Sequence, residues 1–462
     1  MKPEAKRILE TADALRRTLP EDFRDRLVES LYAEAEAITR RVVHLEGDPL
    51  SWEERIDRIV THPLWGLPLM VLGLAVIFWI TIVGANYPSE LLAAVLFAIE
   101  DLGSRAFAAL HVPALFTDFL WHGVYRGLAW VVSVMLPPMA IFFPIFTILE
   151  DLGYLPRVAF NMDWLFKKAG AHGKQALTMA MGFGCNAAGV VATRIIESPR
   201  ERLIAILTNN FVPCNGRWPL LIMLGSLFFA AVVPPRFRSL AATGAVLGAV
   251  LVGVFFTFLV SWILSRTLLR GEPSAFTLEL PPYRRPNVLR ILYTSFIDRT
   301  VKILWRAVYM AAPAGGLIWI LANVQVGSRS LVQILAGWLQ PLGHLIGLDG
   351  MILLAYIVAI PANEIVIPTL IMGYTGARTM IELESLEALR HLLVDQQGWT
   401  LLTAVSLMLF AVLHNPCSTT ILTIWKETGS KRWAAVGTFL PLAVAFATTF
   451  VVATLWRLLG GR

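Results

Sequence analysis

Three cysteines and a few polar side chains lie within segments that are otherwise almost entirely apolar. A thiol in such surroundings either packs as a small apolar group or binds a soft or borderline metal ion such as Fe(II), Cu(I) or Zn(II). Amide and carboxylate oxygens nearby in the sequence would add harder donors, and a mixed sulfur and oxygen set binds weakly enough to release its ion. The candidate metal ligands are Cys185, Cys214, Cys417, Asn186, Asn215 and Glu364.

Two of these cysteines directly follow a proline, in the pairs Pro213-Cys214 and Pro416-Cys417. Proline removes a backbone hydrogen bond from a helix, so each pair is expected to free carbonyl oxygens at membrane depth. Free carbonyl oxygens beside a thiol favour a cation site. The alternative is that both cysteines are packing residues.

An acid inside an apolar span indicates function, because burying a charge in the bilayer is energetically costly. Glu364 interrupts one such span. Its structural alternative is a buried ion pair with Arg217, which would neutralise both groups. Asn209 and Asn210 could likewise serve as hydrogen-bonding residues between helices.

The composition is that of a membrane protein. Of 462 residues, 56% are hydrophobic and 16% are charged, with a mean hydropathy of +0.64. Soluble domains carry about 25% charged residues, so an ordinary soluble enzyme is excluded. The basic residues are dispersed among loops, which argues against a nucleic-acid partner. The nearest approach to a P-loop, at 170–175, has the wrong glycine spacing, and we expect neither an enzyme nor a bound cofactor.

Long uncharged runs predict the membrane spans. The run 64–89 has 26 residues without a charge, about 39 Å as a helix, which is enough to cross the hydrocarbon core. The less apolar stretches 91–116 and 330–348 are expected to lie along the surface or outside the bundle. Further nearly uncharged runs occupy 127–149, 175–193, 203–235, 239–265, 307–328, 350–377, 399–425 and 433–456.

The distribution of basic residues predicts the orientation. Segment 266–306 has eight Lys and Arg against three acids and should be cytoplasmic, whereas 378–397 has two Arg against four acids and should face outward. Keeping the other basic loops inside requires the run 175–193 to enter and leave on the same side, as a re-entrant or broken helix.

Glycines are expected to supply the break in this first hairpin, because glycine tolerates the backbone conformations that a turn at membrane depth requires. They are Gly182, Gly184 and Gly189. By the same reasoning the run 350–377, broken at Pro361, becomes a second hairpin that enters from the opposite face.

Two broken hairpins, each followed by a Pro-Cys span, indicate an inverted-repeat transporter. The predicted fold is therefore an all-α, polytopic transmembrane bundle of two inverted repeats with broken helices. The amino-terminal arm has 11 basic and 14 acidic residues, and 21–41 shows the periodicity of an amphipathic helix. The predicted parts are a cytoplasmic arm (1–62), a first transmembrane half (63–270), a basic cytoplasmic linker (271–302) and a second half (303–462).

Several motifs resemble the membrane domain of bacterial ferrous iron transport protein B, with its two Gate (nucleoside-recognition-like) halves. The resemblance implies an inner-membrane permease for Fe(II) or another divalent metal, with its amino terminus in the cytoplasm. It maps the family's cysteines onto Cys185, Cys214 and Cys417, and its Lys-Glu motif onto Asn363 and Glu364. The matching segments are 52–68, 148–160, 182–186, 192–203, 213–217, 280–289, 415–417 and 426–430.

The family's GTP-binding domain has no counterpart in these residues, so the resemblance implies a separate GTPase or a small Feo-type accessory protein as partner. A homo-oligomer is an open alternative. The family's lysine is replaced by Asn363, which leaves the cargo open. A Gate-type transporter of a nucleoside or another small polar solute, or a membrane scaffold or sensor that transports nothing, remain as alternatives.

Overall fold

A computed structural model of the chain describes residues 11, 23–43, 52–62, 64–271, 280, 282–327, 329–380 and 386–460. Nearly all of these residues are helical. The β-structure among the described residues is a small antiparallel ribbon of β1 (Gln325–Val326) and β2 (Arg329–Ser330). The predicted all-α membrane bundle is confirmed, since seven helices or continuous helical segments are long and apolar enough to span a bilayer.

The amino-terminal part of the chain contributes ten labelled helices. They are α1 (Phe23–Val42), α2 (Trp52–Val60), α3 (Gly66–Ala109), α4 (Arg126–Asp151), α5 (Tyr154–Lys168), α6 (Gln175–Gly184), α7 (Asn186–Ala192), α8 (Pro199–Thr208), α9 (Trp218–Leu224) and α10 (Arg238–Arg266). A short helix, Ala114–Thr117, and a π-helical segment, Asp118–Tyr125, lead into α4. Another π-helical segment, Gly225–Phe229, follows α9 and is continued by Ala230–Val232.

The carboxy-terminal part contributes eight more. They are α11 (Val288–Thr294), α12 (Lys302–Asn323), α13 (Leu331–Leu345), α14 (Gly350–Val358), α15 (Val366–Thr375), α16 (Leu401–Leu413), α17 (Ser418–Thr428) and α18 (Lys431–Leu458). The π-helical segment Ser295–Val301 joins α11 to α12. A short helix, Leu386–Arg390, followed by the π-helical segment His391–Gln396, lies before α16.

One expectation about the surface stretches is wrong. Helix α3 continues to Ala109 without a break, so most of 91–116 extends the first span and does not lie along the surface. In 330–348, α13 packs against α14 after a bend of 112°, and its position relative to the membrane stays a prediction.

The helix of the first hairpin is interrupted at a single residue, Cys185. Its glycines do not form the turn, as they were expected to do. Cys185 has extended backbone angles (φ −156°, ψ 123°) between α6 and α7. Gly182, Gly184 and Gly189 have ordinary negative φ. A Cβ at Gly182 or Gly189 would crowd the side chain of Asn209, and one at Gly184 would overlap the ring of Phe142. These glycines permit close packing and do not make the turn.

The other three breaks occur where the sequence predicts them. The second hairpin is interrupted at 359–362 between α14 and a 3-10 turn, Asn363–Ile365, that leads into α15. The first Pro-Cys span leaves helical geometry at 212–214, and the second does so at 414–417. Four unwound segments therefore interrupt the two halves.

Contacts between loops define two ends of the bundle. At the first end, Arg200 Nε donates to the Leu269 carbonyl and Ser265 Oγ donates to the Ala169 carbonyl. At the second end, Tyr374 donates to Asp349, and Asn323 donates to the Arg378 carbonyl. Arg457 donates to the carbonyls of His344 and Leu345, so α18 finishes at the second end.

Helix α1 confirms the periodicity of the arm, although it begins at Phe23 and most of the remaining arm lies outside the described residues. Phe23, Leu27, Leu31 and Ile38 of its apolar stripe are exposed. Helix α2, by contrast, is tied to the bundle. Its Asp57 accepts two hydrogen bonds from the guanidinium of Arg157, at 2.9 and 3.0 Å.

Candidate functional site

The four unwound segments meet in the interior of the bundle, and a buried arginine connects two of them. Arg217 is 2% exposed and ends the 3-10 turn that follows Cys214. Its guanidinium donates to the carbonyl oxygens of Asn210 (2.8 Å) and Val412 (2.9 Å). It also donates to those of His414 and Asn415, both at 3.3 Å. Arg217 thus satisfies carbonyls released on both Pro-Cys spans.

This arrangement corrects one expectation about the released carbonyls. Four of the carbonyl oxygens exposed by the two breaks accept hydrogen bonds from Arg217 rather than lying free for an incoming cation. A guanidinium suits this role, because it presents five donors in a planar fork and stays charged when buried. The alternative ion pair of Arg217 with Glu364 does not appear among the ion pairs of the described residues.

Three asparagines connect the first hairpin to both Pro-Cys breaks. Asn209 Nδ2 donates to the carbonyl of Asn186 at 3.0 Å, and the amides of Asn186 and Asn210 lie 3.1 Å apart. Asn210 Nδ2 donates to the His414 carbonyl at 2.6 Å. All three asparagines are buried. Asn209 and Asn210 therefore form hydrogen bonds between helices, which is the structural alternative that the sequence left open. Asn186 takes part in the same hydrogen-bond network.

Glu364 lies directly on the turn after Cys214. A Cβ added to Gly216 would sit 2.6 Å from the carboxylate carbon of Glu364, so a larger residue here would force the end of the Glu364 side chain to move. The contact joins the turn Asn215–Arg217 of the first half to the turn Asn363–Ile365 of the second. Glu364 itself is 9% exposed. A carboxyl group is therefore buried where the two halves cross.

Two thiols share this neighbourhood. Cys214 and Cys417 lie close enough to each other and to Glu364 that a charge on one of these groups would affect the others. Cys417 Sγ lies 3.3 Å from the hydroxyl of Thr420, and the Cys417 side chain is partly exposed. Cys185 is buried and interacts electrostatically with both other thiols. Asn215 is partly exposed at the start of its turn.

Sequence reasoning missed His414 and Tyr356 at this junction. His414 Nδ1 lies 3.0 Å from the carbonyls of Phe410 and Ala411, so Nδ1 carries the proton. The other nitrogen, Nε2, lies 3.4 Å from the side-chain amide of Asn363, and the NH2 group of that amide is the matching donor for an unprotonated Nε2. The ring of Tyr356 packs against His414 with centroids 4.6 Å apart. The position of His414 directly before Asn-Pro-Cys was the available signal.

The donors do not form a closed metal centre. Over the part of the chain that the structure describes, no three His, Cys, Asp or Glu side chains converge closely enough to hold an ion. What the structure brings together is a carboxylate, two thiols and unwound backbone, with the third thiol at the adjoining hairpin. This arrangement suits brief contacts with a passing cation more than tight storage.

Comparison with known proteins agrees with this architecture. The Gate family model, described as "Nucleoside recognition", matches residues 132–228 and 304–431. The model "Ferrous iron transport protein B C terminus" matches residues 246–298. The two Gate segments contain the two hairpins and both Pro-Cys breaks. No solved structure matches the chain.

Curated relatives cover most of the chain. The Fe(2+) transporter FeoB of Staphylococcus aureus (strain MW2) is 29% identical over 423 residues, which are 89% of this chain and 60% of that protein. That of Leptospira biflexa is 27% identical over 428 residues, with the same coverage. A Porphyromonas gingivalis protein named as a fusion of Fe(2+) transport protein A and FeoB is 27% identical over 449 residues, 86% of this chain and 51% of its own length.

The chain thus spans about three fifths of the FeoB relatives and half of the fusion protein. Its matches to the Gate model, to the FeoB carboxy-terminal model and to the FeoB relatives all fall on one multi-pass helical bundle. The relatives are named as transporters. The chain is therefore similar to the Gate-type membrane part of the FeoB proteins over most of its own length.

Proposed function

We propose that the chain is a membrane permease for a divalent transition metal, with Fe(II) as its substrate. The main support for the proposal is the contact of the Glu364 carboxylate with Gly216. At this position the carboxylate is within electrostatic range of Cys214 and Cys417. The names of the relatives supply the substrate. In this proposal Cys185, Asn186 and Asn215 belong to the same path as flanking contacts.

The chemistry of the junction fits a labile cation. Thiolate sulfur binds Fe(II), and a carboxylate adds a hard, negatively charged donor. The positive charge of Arg217 is directed at carbonyl oxygens, which leaves Glu364 as the group that offsets the charge of an entering ion. Because the described donors form no closed centre, binding stays weak enough for release on either side.

Fe(II) uptake into proteoliposomes tests the proposal. Cys214→Ser, Cys417→Ser and Glu364→Gln should each reduce the initial rate at least tenfold, because each removes a donor or the charge at the crossing. Glu197→Gln, which changes an exposed carboxylate at 75% side-chain exposure, is the matched control and should keep the parent rate. Parent-like uptake by both cysteine variants would refute the thiol path.

We also propose the cellular setting. The bundle lies in the bacterial cytoplasmic membrane with its amino-terminal arm inside, because the basic segment 266–306 favours the cytoplasm. The exposed apolar stripe of α1 offers a surface for a separate GTPase or a small A-type Feo protein. The fusion of transport protein A with FeoB in a relative supports this second partner. Binding of either purified protein should be lost when 1–43 is deleted.

A second candidate function is transport of a nucleoside or another small polar solute. It is favoured by the amide-rich junction of Asn186, Asn209 and Asn210, and by the description of the Gate model. Thermal stability of the purified protein separates the two. The metal proposal predicts a rise in melting temperature with anaerobic Fe(II) and none with nucleosides, whereas the second candidate predicts the reverse. Absence of any flux in liposomes would favour a scaffold.

A further inference from the structure

A large crevice opens on the side of the bundle, away from the thiols. It has a volume of about 890 Å³ and lies between α3, α9 with its following π-helical segment, and α10. This volume is in the range of small-molecule pockets, roughly 300–1,000 Å³. Its walls are mostly apolar, and they include Leu74, Trp79, Ile222, Leu227, Val246 and Leu247.

The local backbone explains why the crevice exists. The chain after α9 widens into a π-helical segment at Gly225–Phe229, and such bulges are often found at functional sites. Gly225 packs closely on α10, since a Cβ there would lie 3.0 Å from the Ala242 carbonyl. Helices α9 and α10 therefore meet at this level, and α3 forms the facing wall.

The crevice faces hydrocarbon. All three walls belong to candidate membrane spans, and Trp79 and Leu247 on its rim are 66% and 47% exposed. Apolar side chains make up most of these walls, with the hydroxyls of Ser226, Ser239 and Thr243 among them. A hydrocarbon chain is the occupant that the surrounding bilayer supplies.

Charged side chains are gathered at one mouth of the crevice, at the second end of the bundle. Arg238 begins α10, and Glu387 and Arg390 lie on the short helix before α16. All three side chains are exposed. Within the described ranges none of the three forms an ion pair with a protein group. Two cations and one anion thus border an apolar cavity.

We propose that this crevice binds a glycerophospholipid whose headgroup carries both a phosphate and a primary ammonium, as in phosphatidylethanolamine. Guanidinium groups match phosphate oxygens in geometry and charge, so Arg238 and Arg390 bind the phosphate. Glu387 binds the ammonium. The acyl chain lies along Leu74, Ile222 and Val246. The headgroup of phosphatidylglycerol offers the same phosphate but has no ammonium for Glu387 to bind.

The bound lipid would contact the functional junction indirectly. Trp218 lines the crevice and begins α9 immediately after Arg217. A lipid in the crevice therefore packs against the helix that carries the Cys214 turn at its start. The proposal concerns binding of the lipid itself and does not depend on which solute the chain transports.

Lipid retention by the purified full chain tests the proposal. Native mass spectrometry in detergent, with dioleoyl phosphatidylethanolamine or dioleoyl phosphatidylglycerol added, should show preferential retention of the first. The double variant Arg238→Gln, Arg390→Gln should bind phosphatidylethanolamine about tenfold more weakly, since charge-assisted hydrogen bonds are lost. Glu387→Gln should abolish the preference between the two lipids.

The matched control is Arg236→Gln. Arg236 lies in the same loop over the ring of Phe237 but does not line the crevice, so retention should not change. Equal retention by parent and double variant, equal weakening by Arg236→Gln, or no preference for phosphatidylethanolamine would each overturn the proposal. Thr243→Phe, which fills the crevice from α10 without changing a charge, should displace the lipid, and full retention by this variant would also overturn the proposal.

Discussion

At the scale of single residues, the contact between Gly216 and Glu364 is the most specific feature of the junction. No positive φ requires glycine at this position; the requirement is space for a carboxylate from the other half. Glycine at position 216 therefore reflects a tertiary contact. From the sequence alone it looks the same as a glycine required by a turn.

Gly216→Ala is expected to displace the Glu364 carboxylate and lower Fe(II) uptake about tenfold while the protein still folds, because the flexible end of the Glu364 side chain can move away from the new methyl group. Adding Glu364→Asp should restore part of the uptake, since the shorter side chain withdraws from the new methyl group. Gly244→Ala is the control, because a Cβ at Gly244 meets nothing within 4 Å. Parent-like uptake by Gly216→Ala would contradict the assignment of this contact.

A second residue-scale feature holds the arm to the bundle. The carboxylate of Asp57 accepts hydrogen bonds from Arg157 and, at 2.7 Å, from the hydroxyl of Tyr283. The guanidinium carbon of Arg157 lies 4.0 Å from the centroid of the Tyr283 ring. The hydrogen bond from Arg157 lowers the pKa of the Asp57 carboxyl, against the opposing effect of burial. Three distant parts of the sequence are thereby joined.

Because the pKa of Asp57 is lowered in the folded protein, the stability that the pair provides is present above the unfolded pKa, about 3.9. It is lost as the pH falls through the lower folded pKa. Asp57→Asn should cost about 3 kcal/mol at pH 7, because it leaves the buried Arg157 without its charge partner.

Thermal unfolding from pH 7 down to pH 3 measures this effect. The difference between parent and Asp57→Asn should shrink as the pH drops below about 4. Glu36→Gln, in an exposed pair with Arg40, is the control and should have little effect at any pH. A difference that stays constant with pH would mean that the charge of Asp57 does not stabilise the docked arm.

At the scale of helices, Arg217 stabilises the unwound segments at the two Pro-Cys breaks. The unwound segments at 212–214 and 414–417 expose carbonyl oxygens that a continuous helix would satisfy. One guanidinium takes up four of them across both halves. Three of these carbonyls lie in the second half, so the hydrogen bonds that satisfy its break come from the first half.

Arg217→Lys should destabilise the protein by about 3 kcal/mol, although it preserves the charge. An ammonium has three donors on one atom and cannot reach four carbonyls spread over two segments, so at least two buried acceptors lose their partners. The melting temperature in detergent is the measurement. Arg236→Lys, at an exposed position, should change nothing, and an equally small effect of Arg217→Lys would show that the breaks need no bridging donor.

At the scale of the whole molecule, a cluster of charges joins the two Gate segments near the first end. Arg194 binds Glu427 through two hydrogen bonds, at 2.6 and 2.8 Å, and Arg202 binds it at 3.0 Å. The Glu427 side chain is 7% exposed, that of Arg202 is 31% exposed and that of Arg194 is 64% exposed. If solute leaves at this end, these contacts must loosen.

A double-mutant cycle of Arg202→Gln with Glu427→Gln should give a coupling energy of about 1 kcal/mol, whereas the cycle with Arg194→Gln should give less, because the more exposed partner is better screened by solvent. Chemical unfolding of the purified protein supplies both values. A larger coupling for Arg194 would show that bidentate geometry outweighs exposure at this position.

Much of the architecture could be predicted because hydropathy and helix breaking are local properties. Apolar runs, the breaks near Cys185 and Pro361 and the two Pro-Cys interruptions follow from short stretches of sequence. The uncharged runs did not predict the full length of α3 or the bend between α13 and α14, since a few polar residues do not end a helix and a bend depends on tertiary packing.

The amino-acid sequence by itself determined that this chain is a helical membrane protein with two interrupted halves, because the cost of burying charge and unpaired backbone in lipid is set residue by residue. Only the tertiary structure decided which groups meet at the interruptions. Arg217 lies 195 residues from Val412, and Asn210 lies 204 residues from His414. Partners at such separations are chosen by the packing of whole helices, which no local pattern records.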